Sequence, residues 1–207
     1  MPEIKKVLVA TTNKGKFKEI SSMLFSCHYR VVSLGEMKID VKVPETGSTL
    51  EENASIKART YSSLSGMVTL SDDSGLEVDA LDGQPGALSA RYAGVNVTDG
   101  ERNEFLLKKM HDVPETKRTA RFRCVMVLAW DSELYETYIG ECLGRISRHP
   151  VGDNGFGYDS VFLLPELAKT MAELTSDEKN LISHRSVALR KVAKRLTEGT
   201  APARVSI

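Results

Sequence analysis

Apolar and polar residues change rhythm several times along the chain, and each change predicts an element. Residues 4–10, IKKVLVA, are a short β-branched and aliphatic run that predicts a strand, whereas KFKEISSMLF places Phe17, Ile20 and Leu24 at i, i+3 and i+7, one face of a helix. In GSTLEENASIKARTYSSLSG, Ser48 and Glu51 have capping-box spacing, Leu50, Ala54, Ala58 and Tyr61 share a face, and Gly66 suits a left-handed stop. A strand over Thr69 to Val78, TLSDDSGLEV, follows this second helix. Turn residues then crowd DALDGQPGALSARY, GERNEFLLKKM predicts a helix, and RFRCVMVLAW and ELYETYIGECLGRI read as two strands folded back at Asp131 and Ser132. The glycine-rich VGDNGFGYDS leads into the apolar VFLLP. The last periodic segment runs from His184 to Leu196, with Ser183 as its cap and Val187, Leu189, Val192 and Leu196 as its buried side. The tail EGTAPARVSI is expected to fray.

Helices interleaved with strands, plus one hairpin, predict an α/β fold with a mixed sheet. No repeat, low-complexity tract or linker-like change of composition divides the chain, so a single domain over residues 1–207 is expected. An apolar content of 41% is enough to build a core without disulfides or metal staples. Lys plus Arg (28) equals Asp plus Glu (28), which argues against a nucleic-acid-coating surface. Cys27, Cys124 and Cys142 are widely spaced, odd in number and without a CxxC pair, so neither a disulfide framework nor a thiolate zinc site is indicated. A reducing cytoplasm is the expected location. The first apolar run is too short for a signal-peptide core or a membrane span, and no membrane partner is expected.

Five clusters carry candidate chemistry. VATTNKGKFKE has the strand, polar loop and helix order that aims backbone N–H groups at an anion, with Lys14, Lys16 and Lys18 adding charge, though it lacks the P-loop pattern; a solvated cap with surface lysines fits equally. Asp72 and Asp73 stand side by side in a strand whose successive side chains face opposite ways, so they serve one site only if the strand ends or bulges at Ser74-Gly75. A divalent cation would relieve their repulsion, and an Asx-type turn would also accommodate them. Glu45, in the turn KVPETG, is either a further oxygen ligand or a surface acid; Asn53 and Lys57 share a helix face open to phosphate or to solvent. In GFGYDSVF, Phe156 is placed to stack on a planar base while Asp159 reads its edge, or the aromatic residues are simply tucked into the core. Lys179, His184 and Arg185 lie in DEKNLISHRS, the last two in the first turn of a helix. There a cation opposes the helix dipole, which favours an anion or carbonyl oxygen nearby. Acids for a metal, cation-rich loops for phosphates and an aromatic-acid loop for a base together suit a nucleoside triphosphate.

The segments TTNKGKFKE, ETGSTLEENASIKA, SDDSGLEVDALDGQPGALSARYAG, GFGYDSVF and LTSDEKNLISHRSVAL, in this order, closely resemble the inosine triphosphate pyrophosphatase family, also called XTP/dITP diphosphatases. The likeness runs from about Val7 to Leu196. It implies Mg²⁺-dependent hydrolysis of ITP, dITP and XTP to the monophosphate and pyrophosphate, clearing deaminated purines from the nucleotide pool. It also implies a homodimer and an elongated mixed β-sheet flanked by helices, with two lobes around a central cleft. By the same resemblance Asp73 is the acceptor of a proton from water and a metal ligand, Glu45 the other ligand, and Asp72 an alternative or supporting one. Thr11, Thr12, Asn13, Lys14, Gly15, Lys16 and Ser74 fall on substrate-binding positions, and Lys57 on a triphosphate contact. Phe156, Gly157, Tyr158 and Asp159 match the base-binding loop; Lys179, His184 and Arg185 match the segment that closes over the nucleotide. Arg185, with His184, can donate to the keto oxygen that hypoxanthine and xanthine carry where adenine has an amine. One departure is visible: Ser160 stands where the family commonly has proline. Two other readings are a nucleotide pyrophosphatase of the Maf type, against which the FGYD and SHR segments count, and a nucleotide sensor, against which the retained acids Glu45, Asp72 and Asp73 count.

Overall fold

The computed structural model describes residues 5–25 and 29–198. Ile4, Cys27 and the tail beyond Glu198 lie outside the described residues, and with them part of the first predicted strand, one cysteine and the predicted fraying. Seven strands form one mixed sheet in the order β2-β1-β3-β4-β5-β6-β7. By contact the chain divides into two compact units, residues 1–73, 125–139 and 186–207 in the first, 74–124 and 140–185 in the second.

In the first unit, β1 (Lys5–Val9) pairs in parallel with β2 (Tyr29–Ser33) and with the start of β3 (Thr69–Val78). Parallel strands need crossovers, and α1 (Lys14–Leu24) and α2 (Leu50–Ser65) lie within them. Val7, Leu8 and Val9 are all buried, as expected where a strand is covered on both faces. Leu8, Ala10, Leu34, Val43 and Tyr61 form a core cluster, and the Tyr61 hydroxyl donates to the Val41 carbonyl at 2.9 Å. Helix α2 ends where predicted: Gly66 has φ +63 and its N–H donates to the Ser62 carbonyl. Its start is shifted by one residue from the prediction. Thr49, not Ser48, is the cap, accepting from the Glu52 N–H, while Ser48 donates to the Glu52 carboxylate. Helix α1 begins two residues before the predicted Lys16, because Asn13 caps it. Strand β2, mostly half-buried, has too few fully buried positions to signal itself.

In the second unit the rest of β3 and the adjoining parts of β4 (Thr119–Ala129) and β5 (Tyr135–Ile146) continue the sheet. β6 (Phe162–Leu164) and β7 (Lys169–Thr170) extend it as antiparallel neighbours. The predicted reversal between β4 and β5, which belongs to the first unit, is held by the Asp131 carboxylate, which accepts from the N–H groups of Glu133 and Leu134 at 2.8 Å. A capping box of Thr98 and Glu101 starts α3 (Asp99–Lys109), and another of Thr175 and Glu178 starts α4 (Ser176–Ile182), a helix the apolar pattern does not announce. Leu76, Leu106, Phe122, Ile146, Tyr158 and Phe162 belong to one buried cluster. Arg118 closes it, 1% exposed, donating to the carbonyls of Ile146, Met110 and Ser147 at 2.7, 2.6 and 2.8 Å. Helix α5 (His184–Glu198) starts at the predicted residue and from Ser186 onward belongs to the first unit; Leu189, Val192 and Leu196 are buried, but Val187 is only half-buried.

The predicted strand over Thr69 to Val78 forms with these bounds, and it does not end at Ser74-Gly75, one of the ways in which Asp72 and Asp73 could have served a single site. The strand runs unbroken through Asp72, Asp73, Ser74 and Gly75. Gly75 serves close approach instead, since a Cβ there would lie 2.3 Å from the Gly86 carbonyl oxygen.

Candidate active site

Because β3 is unbroken, its two acids meet different lysines. The Asp72 carboxylate lies 3.2 Å from Lys16 Nζ, and Asp73 Oδ1 accepts from Lys57 Nζ at 2.9 Å. Lys57 also donates to Glu45 Oε1 at 2.8 Å and to the Asp72 carbonyl at 2.9 Å. One ammonium on α2 therefore gathers Glu45, Asp73 and the strand backbone. Asp72, expected as an alternative or supporting ligand, has its carboxylate beside Lys16. Asn53, read from the sequence as open to phosphate or to solvent, is instead buried and accepts from the Gly47 N–H at 2.8 Å, fixing the turn that carries Glu45. The Ser71 hydroxyl donates to the Ala54 carbonyl at 2.6 Å, tying β3 to α2 beside the acids.

Burial raises the Asp73 carboxyl above its ordinary value; the positive charges of Lys57 and Lys16 oppose the rise without cancelling it. Burial also works against the Lys57 charge, but Asp73, Asp72 and Glu45 together outweigh it and raise its pKa, so Lys57 stays an ammonium at neutral pH. A carboxylate made more basic beside a permanent cation is suited to accepting a proton next to an anionic substrate.

The Thr11 to Lys16 segment splits at the helix start. Thr11 Oγ1 accepts from the Asn13 N–H, Asn13 Oδ1 accepts from the Lys16 N–H at 3.0 Å, and Lys14, Gly15 and Lys16 form the first turn of α1. Thr12, Asn13 and Lys14 are exposed, whereas the Lys16 side chain is largely covered and held by Asp72.

A second cluster is built in the other unit. Asp159 Oδ2 accepts from Lys179 Nζ at 2.6 Å and from the Phe156 N–H at 2.9 Å, with Asp159 and Lys179 both buried. Lys179 Nζ lies 4.8 Å and the Arg185 guanidinium 5.6 Å from the centre of the Phe156 ring, so this aromatic face is bracketed by two cations. Arg185 also donates to the Ser74 hydroxyl at 3.1 Å, and the His184 ring stacks on Phe122 at 4.8 Å. Gly155 has φ +80, and a Cβ there would sit 2.0 Å from Asp159 Oδ2, so the loop closes tightly over the carboxylate. Asp159, expected to read a base edge, is engaged as scaffold by Lys179 and Phe156. Tyr158 is the aromatic residue tucked into the core: it is 4% exposed and its hydroxyl donates to the Ser89 carbonyl at 2.9 Å.

Residues outside the predicted set also support this loop. Asp99 and Asn103 of α3 bond to Gly157, and Asn103 to Ser160. The capping box at Thr98 was the readable signal that a helix starts there. Nothing in the pattern announced its partner loop, 54 or more residues away in sequence.

Among the described residues no group of three or more His, Cys, Asp and Glu side chains gathers as a metal site. The donor set nonetheless fits a hard divalent cation. Glu45 and Asp73 present carboxylate oxygens at 2.8 and 2.9 Å to a single positive charge, which here is the Lys57 ammonium.

The fold and these clusters define an α/β protein with an acid–lysine centre and an aromatic–cation loop. Solved structures place it more narrowly. The chain is similar to a HAM1 protein from Coxiella burnetii, with a TM-score of 0.87 and 38% identity over 94% of this chain and 100% of that one. It is also similar to the Staphylococcus aureus Ham1 protein, with a TM-score of 0.84 and 38% identity over 95% of this chain and 100% of that one. A dITP/XTP pyrophosphatase of Listeria monocytogenes is 46% identical over 93% of this chain and 95% of its own length, and one of Bacillus subtilis 44% identical over 93% and 98%. The Ham1 family model matches residues 7–195, and the chain belongs to the Ham1 family. The resemblance drawn from the five motifs is borne out over nearly the span it claimed.

Proposed function

We propose that this chain hydrolyses non-standard purine nucleoside triphosphates, ITP, dITP and XTP, to the monophosphate and pyrophosphate, as a hydrolase acting on acid anhydrides. The observation that carries the reading is Asp73: a buried carboxylate, made more basic by its surroundings, held by Lys57 beside Glu45. Attack by water on the α-phosphorus requires a proton acceptor for the water and positive charge for the departing pyrophosphate. Asp73 takes the proton. Lys57 and Lys16 supply fixed charge to the phosphate oxygens, Lys16 being held in place by Asp72. The Thr11 to Lys16 turn adds hydrogen-bond donors for the same anion, and Ser74 is proposed as a further substrate contact. Glu45 and Asp73 would hold a Mg²⁺ ion, which would supply further positive charge against the leaving pyrophosphate.

Phe156 offers the stacking surface for the base, and Arg185 and His184 donate to its keto oxygen, with Lys179, Gly157, Tyr158 and Asp159 shaping the loop. Adenine would leave such donors unpaired, at about 1–3 kcal/mol for each buried group. Each unit is assembled from separated chain segments, so residues 1–207 are proposed to act as one catalytic domain rather than as excisable halves. We further infer a homodimer working in the cytoplasm, where the nucleotide pool and reduced cysteines coexist; no described helix is long and apolar enough to cross a membrane.

The test is hydrolysis of ITP, XTP, dITP, GTP and ATP with Mg²⁺ and with EDTA, identifying products. Monophosphate and pyrophosphate from the first three, lost in EDTA, is expected. Diphosphate and orthophosphate would mean attack at the γ position and would refute the assignment. Sedimentation of the purified protein as a monomer would refute the homodimer.

A further inference from the structure

Gly157 follows Phe156 directly, and both halves of its peptide framework are held by one helix. Its N–H donates to Asp99 Oδ2 at 2.6 Å, and its carbonyl accepts from Asn103 Nδ2 at 3.1 Å. The same Asn103 amide nitrogen donates to the Ser160 hydroxyl at 3.0 Å. Gly157 has φ +66, a left-handed conformation that would drift without such restraints. Asp99 is in turn oriented by Arg102, whose guanidinium lies 2.6 Å from its other oxygen.

The orientation of Asn103 is set by what it faces. It is 3% exposed, and giving both amide protons to the loop leaves its own oxygen buried with no hydrogen-bond partner among the described residues. Turning the amide over would set that oxygen against the Gly157 carbonyl and leave the carbonyl undonated, a worse arrangement. The side chain is thus committed to the loop at a cost to itself. Ser160 matters for the same reason. Proline there would restrict the backbone by its ring, whereas serine leaves it free and supplies a hydroxyl that Asn103 holds.

We propose that Asp99 and Asn103 are positioning residues for the Phe156–Ser160 loop, and that the Asn103–Ser160 hydrogen bond fixes this loop in a chain carrying serine at 160. The inference rests on the reading that this loop receives the purine base. Neither residue is assigned a contact with the reacting phosphate, so their loss acts on base capture and base choice rather than on bond cleavage.

The experiment compares Asn103→Ala, Ser160→Ala, the double variant and Ser160→Pro with the parent. Hydrogen–deuterium exchange over residues 155–160 reports the clamp itself and needs no substrate. Steady-state kinetics on ITP, GTP and ATP report its consequence. Asn103→Ala is expected to speed exchange in the loop and to raise KM for ITP by about 3- to 10-fold, the scale of a lost hydrogen bond or two. It should change kcat by less than about 2-fold and narrow the preference for ITP over GTP and ATP. Ser160→Ala, which removes only a hydroxyl, should give part of the same effect, the double variant no more than Asn103→Ala, and Ser160→Pro should slow exchange. Unchanged exchange in Asn103→Ala would overturn the clamp. Faster exchange with unaltered KM and base preference, or an equal fall in kcat for all substrates, would overturn the positioning role. A parent protein inactive on ITP and XTP would instead refute the proposed activity, with the clamp still decided by exchange.

Discussion

Replacing Lys57 by Met keeps most of the side-chain volume and removes the charge on which Glu45, Asp73 and the Asp72 carbonyl converge. Removing one partner of a buried pair costs about 3–5 kcal/mol, because the other charge is left uncompensated. Glu45 keeps 38% of its side chain in water, so its share is screened, and Asp73 sets the loss. A value near the lower end, about 3 kcal/mol, is expected, or a fall of roughly 6–12 °C in Tm for a chain of this size. The pH dependence carries a sign. Burial already raises the Asp73 carboxyl, and Lys57 is the strongest influence holding it down, so the variant's carboxyl rises further. A group whose folded pKa exceeds its unfolded one contributes stability that is fully present below the unfolded pKa and lost as pH climbs through the folded pKa. The deficit of the variant relative to the parent should therefore shrink as pH is lowered from about 8 to about 5. Mg²⁺ should stabilise the variant more than the parent, since no ammonium competes for the two carboxylates. The gain is about 1.4 kcal/mol at a concentration roughly tenfold above the apparent Kd. Urea unfolding at several pH values, with and without Mg²⁺, measures both effects. A deficit independent of pH, or equal Mg²⁺ stabilisation of the two proteins, would refute the reasoning about this centre.

Other substitutions test separate parts of the account. Asp73→Asn should lower kcat for ITP by about 10²–10⁴-fold with KM little changed. In the parent, activity should fall as pH drops through a value above the ordinary carboxylate range, and this acid limb should vanish in the variant; near-normal turnover by the variant would remove Asp73 from the mechanism. Arg185→Ala should cut discrimination between ITP and ATP by about 5- to 150-fold, read from kcat/KM ratios, and an unchanged ratio would place the keto donor elsewhere. Arg118→Met should destabilise by about 3 kcal/mol in urea unfolding, because several buried carbonyls lose their donor; a loss under about 1 kcal/mol would contradict that role.

Elements with strong periodicity were legible in the chain: α2 with its Gly66 stop, β3, the β4–β5 hairpin and the start of α5 at His184. Those that bury little were not. Strand β2 has one fully buried side chain, and in α4 only Lys179 is buried, so no apolar stripe marks either. The Thr175–Glu178 capping spacing was the available sign for α4. At the site, residue types pointed to the right chemistry but not to the pairings. Alternation along a strand says that Asp72 and Asp73 diverge, yet only the fold says that Lys16 receives one and Lys57 the other. Asp159 looked like a reader of bases because its neighbours are aromatic; its buried partner Lys179 lies 20 residues away, beyond any local pattern. Asn103 was invisible for the same reason.

The side-by-side acids of β3 give this stretch a parity rule. Adding or deleting one residue between Thr69 and Ser71 would turn each carboxylate to the opposite face, a deletion presenting Asp73 to the neighbours of Asp72 and an insertion presenting Asp72 to those of Asp73. Two residues would restore the facing but carry both acids one full pleat along, away from Lys16 and Lys57. Length variation among relatives should therefore collect in the turns on either side of this strand, while the strand itself changes only by exchange of one side chain for another.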